Sequence, residues 1–469
     1  MMSEWQGKHM LVLGLGESGL ASACWCAAAG ARVRVADTRA NPPYLVELRR
    51  RATSADFLAG VFEWHLLDDI DLVVLSPGLP SDLPIVRQAM AQGLPVIGEI
   101  ELFARALRDL NLTAPTSAPV LAITGTNGKT TTTALTGHLL RSMGQSVGVA
   151  GNISPAALAV LANHVAQKDL PQVWVLELSS FQLETTTSLQ PAAATVLNIS
   201  DDHLDRYADL AAYAAVKARI FQGGGVQVVN RQDVHVRGMR ISGRRLLSFG
   251  LDAPQTAADF GLRQQAGELW VAQGEQCLLP ISRLPLQGLH NAANVMAALA
   301  LCVSLGYDAQ ELLPAILSFQ GLPHRVEKVV EMNGVTWYDD SKGTNVGATV
   351  AALTGMGGIQ DRKILLIAGG DGKGQDFSPL ASAVAQCARA VVLIGRDGPL
   401  IGNALENSGV PLVFATDMSD AVQQANALAQ KNDAVLLSPA CASFDMFRDY
   451  QHRAEVFIAA VNRLVKAAS

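Results

Sequence analysis

Three times along this chain, short β-branched runs alternate with helical patterns, and that rhythm constrains the fold more than any other feature. The first segment reads HMLVLGLG, SGLASACWCAAAG, RVRVADT, DLVVLSPG and LPVIG. The second reads VLAITG, TTTALTGHLLRSM, VWVLELSS, AATVLNIS and VQVVN. The third reads VTWYDDS, KILLIAGG, ARAVVLIG, VPLVFAT and DAVLLSPA, with helices such as SDAVQQANALAQ between them. Strand and helix in alternation build βαβ units, hence parallel sheets covered by helices, so an α/β fold is predicted throughout. Between Arg240 and Pro285 helix signals are sparse, which predicts short strands and loops attached to the second segment. A closing helix is predicted from about Asp449 to Ala467.

The stretch LNLTAPTSAP, rich in Asn, Thr, Pro and Ser, places a joint near Gly98 to Pro119, and FQGLPHR, with Gly321 and Pro323, places a second. At roughly 150 residues per domain, 469 residues suit three domains, set at 1–99, 100–321 and 322–469. With 49% hydrophobic and 17% charged residues, the chain can fill several cores and is not disordered. Lys and Arg number 36 against 42 Asp and Glu, so the net charge of −6 supplies no field for broad nucleic-acid binding. A small phosphorylated ligand stays open, because local loops bind phosphate whatever the net charge. No apolar run reaches the roughly 18 residues of a bilayer span, and MMSEWQGKHM does not open a signal peptide. Cys24, Cys26, Cys277, Cys302, Cys387 and Cys441 are scattered without a CxxC pair, which fits a reducing cytoplasm.

The strongest local signal is ITGTNGKTTTT, Ile123 to Thr133. Gly125 and Gly128 let the backbone curl so that N–H groups face inward, Lys129 supplies a cation for phosphate oxygens, and Thr130 offers a hydroxyl to Mg²⁺. The spacing departs from GxxxxGK[ST], because Ile123 stands where the first glycine would. A carboxylate for the metal is expected at a neighbouring strand end, and Glu177 of WVLELSSFQLE is that candidate, with Glu184 further along. In NISDDHLDRY and the following LAAYAAVKARIF, His203 and Lys217 are open between functional and structural roles on pattern alone.

At the N-terminus, Gly14-Leu15-Gly16-Glu17-Ser18-Gly19 follows a strand, and Asp37 ends the next one at the spacing of a ribose-binding acid. By itself this favours a nicotinamide or flavin oxidoreductase, yet the geometry suits any nucleotide diphosphate at a helix N-terminus. In the last segment DDSKGTN, GGDGKGQDF and SPACASFDMF each end a predicted strand, where ligand loops of an open sheet converge. Lys342 and Lys373 could neutralise carboxylate or phosphate there, and Ser443 could donate a hydrogen bond.

ITGTNGKTTTT, ELSSFQLE, DDHLDRY with Lys217 downstream, HNAAN, GLPHR, DDSKGTN and SPACAS occur in this order over nearly the whole chain, and together they resemble the Mur ligases. GLGESG followed by Asp37-Thr38-Arg39, and GGDGK in the last segment, resemble the D-glutamate-adding branch. The resemblance implies an N-terminal Rossmann-like UDP-binding domain, a central P-loop ATPase-like domain with a mostly parallel sheet, and a C-terminal Rossmann-like domain that takes the amino acid. It implies ATP-dependent joining of D-glutamate to UDP-N-acetylmuramoyl-L-alanine through an acyl phosphate, in cytoplasmic peptidoglycan synthesis, by a monomer using two Mg²⁺.

On that resemblance Gly16, Glu17, Ser18, Asp37, Thr38, Arg39 and Gly78 hold UDP, and Asn152 and His203 meet the diphosphate or muramoyl side. Gly125, Thr126, Asn127, Gly128, Lys129, Thr130 and Thr131 hold ATP phosphates; His290, Asn291 and Asn294 lie by the nucleotide, and Arg325 and Asp340 close over it. Thr344, Lys373, Ser443, Phe444 and Tyr450 match the D-glutamate pocket. Thr130, Glu177, His203 and a carbamylated Lys217 match the metal ligands, and Lys129, Glu177, His203, Lys217 and Lys342 are the catalytic set. The rival readings are another amide ligase of the superfamily, a dinucleotide-dependent oxidoreductase, and a P-loop switch.

Overall fold

The computed structural model describes residues 4–113, 118–202, 206–286, 288–357 and 362–468. Three sheets follow one another along the chain. The first contains β1 (His9–Leu13), β2 (Arg32–Asp37), β3 (Asp56–Ala59), β4 (Leu72–Leu75) and β5 (Val96–Ile97), all parallel in the order β3-β2-β1-β4-β5. Strand order reverses between β1 and β4, which opens a crevice at their carboxyl ends.

The second sheet contains β6 (Val120–Thr124), β7 (Val147–Gly151), β8 (Val173–Glu177), β9 (Ala193–Val196), β10 (Val226–Asn230), β11 (Leu246–Phe249), β12 (Phe260–Gln265), β13 (Glu268–Gln273) and β14 (Gln276–Pro280). Their order is β14-β13-β12-β11-β10-β9-β6-β8-β7, parallel except for the β12-β13-β14 meander. That antiparallel edge accounts for the weak helix signals after Arg240. Every residue of β6 and β8 is buried, as expected of strands covered on both faces. The helices Lys129–Ser142 and Leu289–Ser304 pack on each other over this sheet, the second apolar on nearly all sides and therefore sunk in the core.

The third sheet contains β15 (Glu327–Met332), β16 (Val335–Asp339), β17 (Ile364–Gly369), β18 (Ala388–Ile394), β19 (Leu412–Phe414) and β20 (Ala434–Leu437). Their order is β15-β16-β20-β17-β18-β19, with only β15 antiparallel. The helix Tyr450–Ala468 closes one face, where Phe457 lies 6.3 Å from the Trp337 ring.

The first joint is not a plain linker. Its helix, Glu99–Thr113, inserts Phe103 edge-on against Trp174 of β8 at 5.0 Å, and Glu101 accepts the backbone N–H groups of Thr187 and Ser188, both at 2.8 Å. One apolar cluster thus runs from the first sheet into the second. Among the described residues, no helix is long and apolar enough to cross a membrane.

Candidate active site

The turn after β6 has the backbone that its glycines allow. Gly128 has φ +82°, and a Cβ there would run into the Asn294 side chain, so both conformation and space require glycine. Asn198, just beyond β9, braces the turn: its Oδ1 accepts Asn127 N–H at 2.8 Å and its carbonyl accepts Thr126 N–H at 2.9 Å. Lys129 folds back, donating to the Gly125 carbonyl at 2.9 Å and the Thr126 carbonyl at 2.7 Å. Burial lowers its pKa, against the pull of the Glu177 charge. Arg325, from the second joint, reaches across to donate to the Thr130 hydroxyl at 2.7 Å.

Glu177 is the last residue of β8 and 2% exposed. One carboxylate oxygen accepts Asn152 Nδ2 at 2.7 Å; the other is buried with no hydrogen-bond partner among the described residues. A buried, unsatisfied carboxylate oxygen is costly in isolation, and a cation in the adjoining cavity would satisfy it. Glu184 is not available for this, since it accepts from the Tyr207 hydroxyl at 2.6 Å and Arg206 at 3.0 Å.

Beneath the turn, Lys217 is 1% exposed and donates to the Gly125 carbonyl at 3.0 Å and the Thr124 hydroxyl at 3.2 Å. Its amine also lies 4.7 Å above the Tyr213 ring. Burial, and then the neighbouring Lys129 cation, push its pKa well below the ordinary lysine range. His203 lies outside the described residues.

Two cavities flank the turn. The smaller, about 350 Å³, is bounded by Asn127, Gly128, Thr131, His290, Asn291, Asn294, Arg325 and Asp340, with Phe249, Leu251, Leu286 and Leu322 as apolar walls. This mixture of flat apolar wall and a few amides suits a nucleoside. Burial pushes the His290 imidazole down to about 4, which keeps it neutral, and the Asp340 carboxyl up to about 7, where Ser438 donates to it at 2.7 Å.

The larger cavity, about 850 Å³, brings together Lys129, Thr130, Asn152, Glu177 and Asp202 from the middle segment with Lys342, Thr344, Lys373 and Tyr450 from the last. The Lys342 ammonium sits 3.8 Å over the Tyr450 ring, and burial brings its pKa down to about 8. His324, which sequence reasoning passed over within GLPHR, also lines this cavity, its Nδ1 2.7 Å from the Asp339 carboxylate. Ser443 and Phe444 are not in its wall: Ser443 is buried with its carbonyl accepting Phe447 N–H at 2.8 Å, and Phe444 is 69% exposed.

At the first sheet, Gly14 follows β1 and Ser76 follows β4, and the Ser76 hydroxyl donates to the Gly14 carbonyl at 2.8 Å across the crevice. A Cβ at Gly19 would strike that same carbonyl, so this position admits no side chain. Asp37 spends its carboxylate on four donors, Leu15 N–H at 2.7 Å, Arg39 N–H at 2.9 Å, and Arg39 Nε and Nη2 at 2.8 and 2.7 Å. The Arg39 guanidinium holds its pKa down to about 2. With about four lone pairs filled, this acid has none left for a ribose diol, which weakens the dinucleotide reading. Gly16, Thr38 and Gly78 lie on the turns after β1, β2 and β4, at the carboxyl end of this sheet, and Ser18 is in the first turn of the helix Glu17–Ala28. The Glu17 side chain leaves the crevice, reaching Ser154 and Ala156 of the middle segment.

Residues 123–302 match the Mur ligase middle domain, 8–98 the Mur ligase MurD-like N-terminal domain, and 324–441 the Mur ligase glutamate ligase domain. The chain belongs to the Mur ligase family. This Mur ligase is 59% identical over 466 residues to the UDP-N-acetylmuramoylalanine--D-glutamate ligase of Aromatoleum aromaticum, covering 99% of each chain. It is 55% identical to the enzyme of the same name from Thiobacillus denitrificans, covering 98% of this chain and 97% of that one. The same fold occurs in the UDP-N-acetylmuramate-alanine ligase of Thermotoga maritima, at 20% identity and TM-score 0.60, covering 97% of this chain and 99% of that one. It extends to the folylpolyglutamate synthase of Mycobacterium tuberculosis, at 17% identity and TM-score 0.56, covering 76% of this chain and 95% of that one.

Proposed function

We propose that this Mur ligase is the ATP-dependent enzyme that joins D-glutamate to UDP-N-acetylmuramoyl-L-alanine, releasing ADP and phosphate, in peptidoglycan precursor synthesis. The observation that carries the reading is the 850 Å³ cavity, where phosphate-turn groups and the free Glu177 oxygen face lysines of the last domain across one space. Residues 1–99 would take the UDP end, 100–321 the ATP, and 322–469 the amino acid. The enzyme would act as a cytoplasmic monomer.

The turn's N–H groups and Lys129 hold the ATP phosphates so that the terminal L-alanine carboxylate can attack the γ-phosphorus, giving an acyl phosphate and ADP. The D-glutamate amine then attacks the acyl carbon and its nitrogen gives up a proton to solvent; the tetrahedral adduct collapses, the C–O bond to phosphate breaks, inorganic phosphate leaves, and an amide remains. Lys129, Arg325 and Lys342 stabilise the negative charge that develops in both steps. Thr344, Lys373, Tyr450, Ser443 and Phe444 are assigned to D-glutamate, the last two reaching it only if their loop turns inward.

The donor set fits Mg²⁺: Glu177 has a free buried oxygen, and Thr130, which accepts from Arg325, keeps a second lone pair. Bound Mg²⁺ would supply charge neutralisation at the phosphate oxygens. His203 and Lys217 complete the assigned ligands, the lysine only as its carbamate. Lowered basicity favours that modification, in which the neutral amine bonds to the carbon of CO₂, gives up a proton and becomes an anionic carboxylate-like group. The deciding experiment is ADP release with UDP-N-acetylmuramoyl-L-alanine and D-glutamate, L-glutamate or lysine as acceptor. Turnover is expected with D-glutamate only; turnover with lysine and none with D-glutamate overturns the assignment.

A further inference from the structure

A carboxylate in a turn that receives a diphosphate is an electrostatic misfit, since like charges at contact distance repel. Glu17 resolves the misfit by leaving the crevice. It is the first residue of the helix Glu17–Ala28, and its Oε1 accepts the Ser154 hydroxyl at 2.9 Å and the Ala156 backbone N–H at 3.1 Å. Ala156 caps the helix Ala157–Gln167. A second acid reaches the same end: Glu99, 2% exposed, accepts Leu158 N–H at 2.6 Å. Two carboxyl groups thus accept N–H groups of one helix N-terminus, where unsatisfied donors favour an acceptor.

The contact does more than dock one domain on another. Two residues before Ser154, Asn152 gives its side-chain amide to Glu177 Oε1 and its backbone N–H to the Glu177 carbonyl, both at 2.7 Å. Ile153 and Ser154 themselves line the large cavity. A short path therefore runs from the Gly14–Gly19 turn through Glu17, Ser154 and Asn152 to the carboxylate offered to the metal.

We propose that Glu17 is a positioning residue: it ties the nucleoside-diphosphate turn to the Asn152–Ser154 segment and acts on the Glu177 carboxylate, not on the nucleotide. This rests on the reading of Gly14–Gly19 as the UDP turn. The test compares full-length wild type with Glu17→Ala, Glu17→Gln, Ser154→Ala and the double Glu17→Ala/Ser154→Ala. Three quantities are read: UDP Kd by calorimetry, Mn²⁺ Kd by electron paramagnetic resonance with a saturating non-hydrolysable ATP analogue, and kcat. For Glu17→Ala and Ser154→Ala, UDP Kd stays within about twofold, while Mn²⁺ Kd rises and kcat falls about fivefold, the scale of one lost hydrogen bond of ordinary strength. Glu17→Gln, which keeps an acceptor oxygen, recovers most of the loss, and the double variant is no worse than Glu17→Ala alone. A changed UDP Kd with unchanged Mn²⁺ Kd, or losses that multiply in the double variant, overturns the proposal. Wild type that binds Mn²⁺ and the ATP analogue but not UDP overturns the reading of the turn itself, and the proposal with it.

Discussion

A strand, a glycine turn and a helix follow one another at β1 and again at β6, and the two turns are chemically opposite. At the first, the nearby charges are already spent: Asp37 on Arg39 and the Leu15 amide, Glu17 on the middle domain. At the second, charge is gathered and left unbalanced. Lys129, Lys217, Arg325 and Lys342 crowd the turn, burial lowers the pKa of each, and Glu177 keeps a bare oxygen. Glycine spacing therefore fixes only how closely backbone can approach a phosphate. What each turn does is decided by side chains delivered from elsewhere, and in the proposed reading the second carries the phosphoryl transfer.

The sharpest way to break this contrast is to remove the cation of the second turn. Lys129→Ala is expected to lower turnover by ~10³-fold or more, as for loss of a group that stabilises transition-state charge. Unchanged ADP release in that variant would remove the distinction altogether. Lys217→Ala comes next, with a loss of about 10²-fold that short carboxylic acids such as formate partly restore, because they supply the missing carboxylate. No recovery would leave the lysine as a buried amine only.

At the first turn the effect should be smaller and confined to one substrate. Arg39→Ala is expected to raise KM for UDP-N-acetylmuramoyl-L-alanine about tenfold and leave KM for ATP unchanged, the scale of a charged hydrogen bond. A separate effect, on stability and not on turnover, concerns the joint between the two turns. Burial raises Glu99 from 4.5 to about 7, so between those values the native protein binds more protons than the unfolded chain. Stability is therefore fully retained at the acid end of that window and falls as pH rises through it, by up to ~3 kcal/mol. Glu99→Gln should flatten this slope: its Tm drops less than that of wild type between about pH 5 and about pH 8, read by calorimetry. Parallel curves would show that the carboxyl ionises without cost.

Much of this arrangement is legible in the sequence, because it is local. The glycine turn after β6, Glu177 at its strand end and the N-terminal turn all follow from residues within a few positions of one another. What escaped reading depends on distant partners. Arg325 meets Thr130 across 195 residues, and His324 joins the cavity only because the second joint folds over the turn. The apolar walls Phe249, Leu251 and Leu286 look like ordinary core until β11 is placed beside β10. Strand β7 is hidden by its glycines: a Cβ at Gly148 would meet the Trp174 ring, and one at Gly151 the Glu177 carbonyl. No strand is read there from the sequence, yet those glycines are what lets β7 lie against β8.

The division of labour between the two turns can be measured in one calorimetric experiment, with UDP and a non-hydrolysable ATP analogue titrated separately into wild type, Arg39→Ala and Lys129→Ala. UDP affinity should fall only in Arg39→Ala, and analogue affinity only in Lys129→Ala. UDP affinity lost in Lys129→Ala, or NADH displacing UDP from wild type, would contradict the assignment of separate substrates to the two turns.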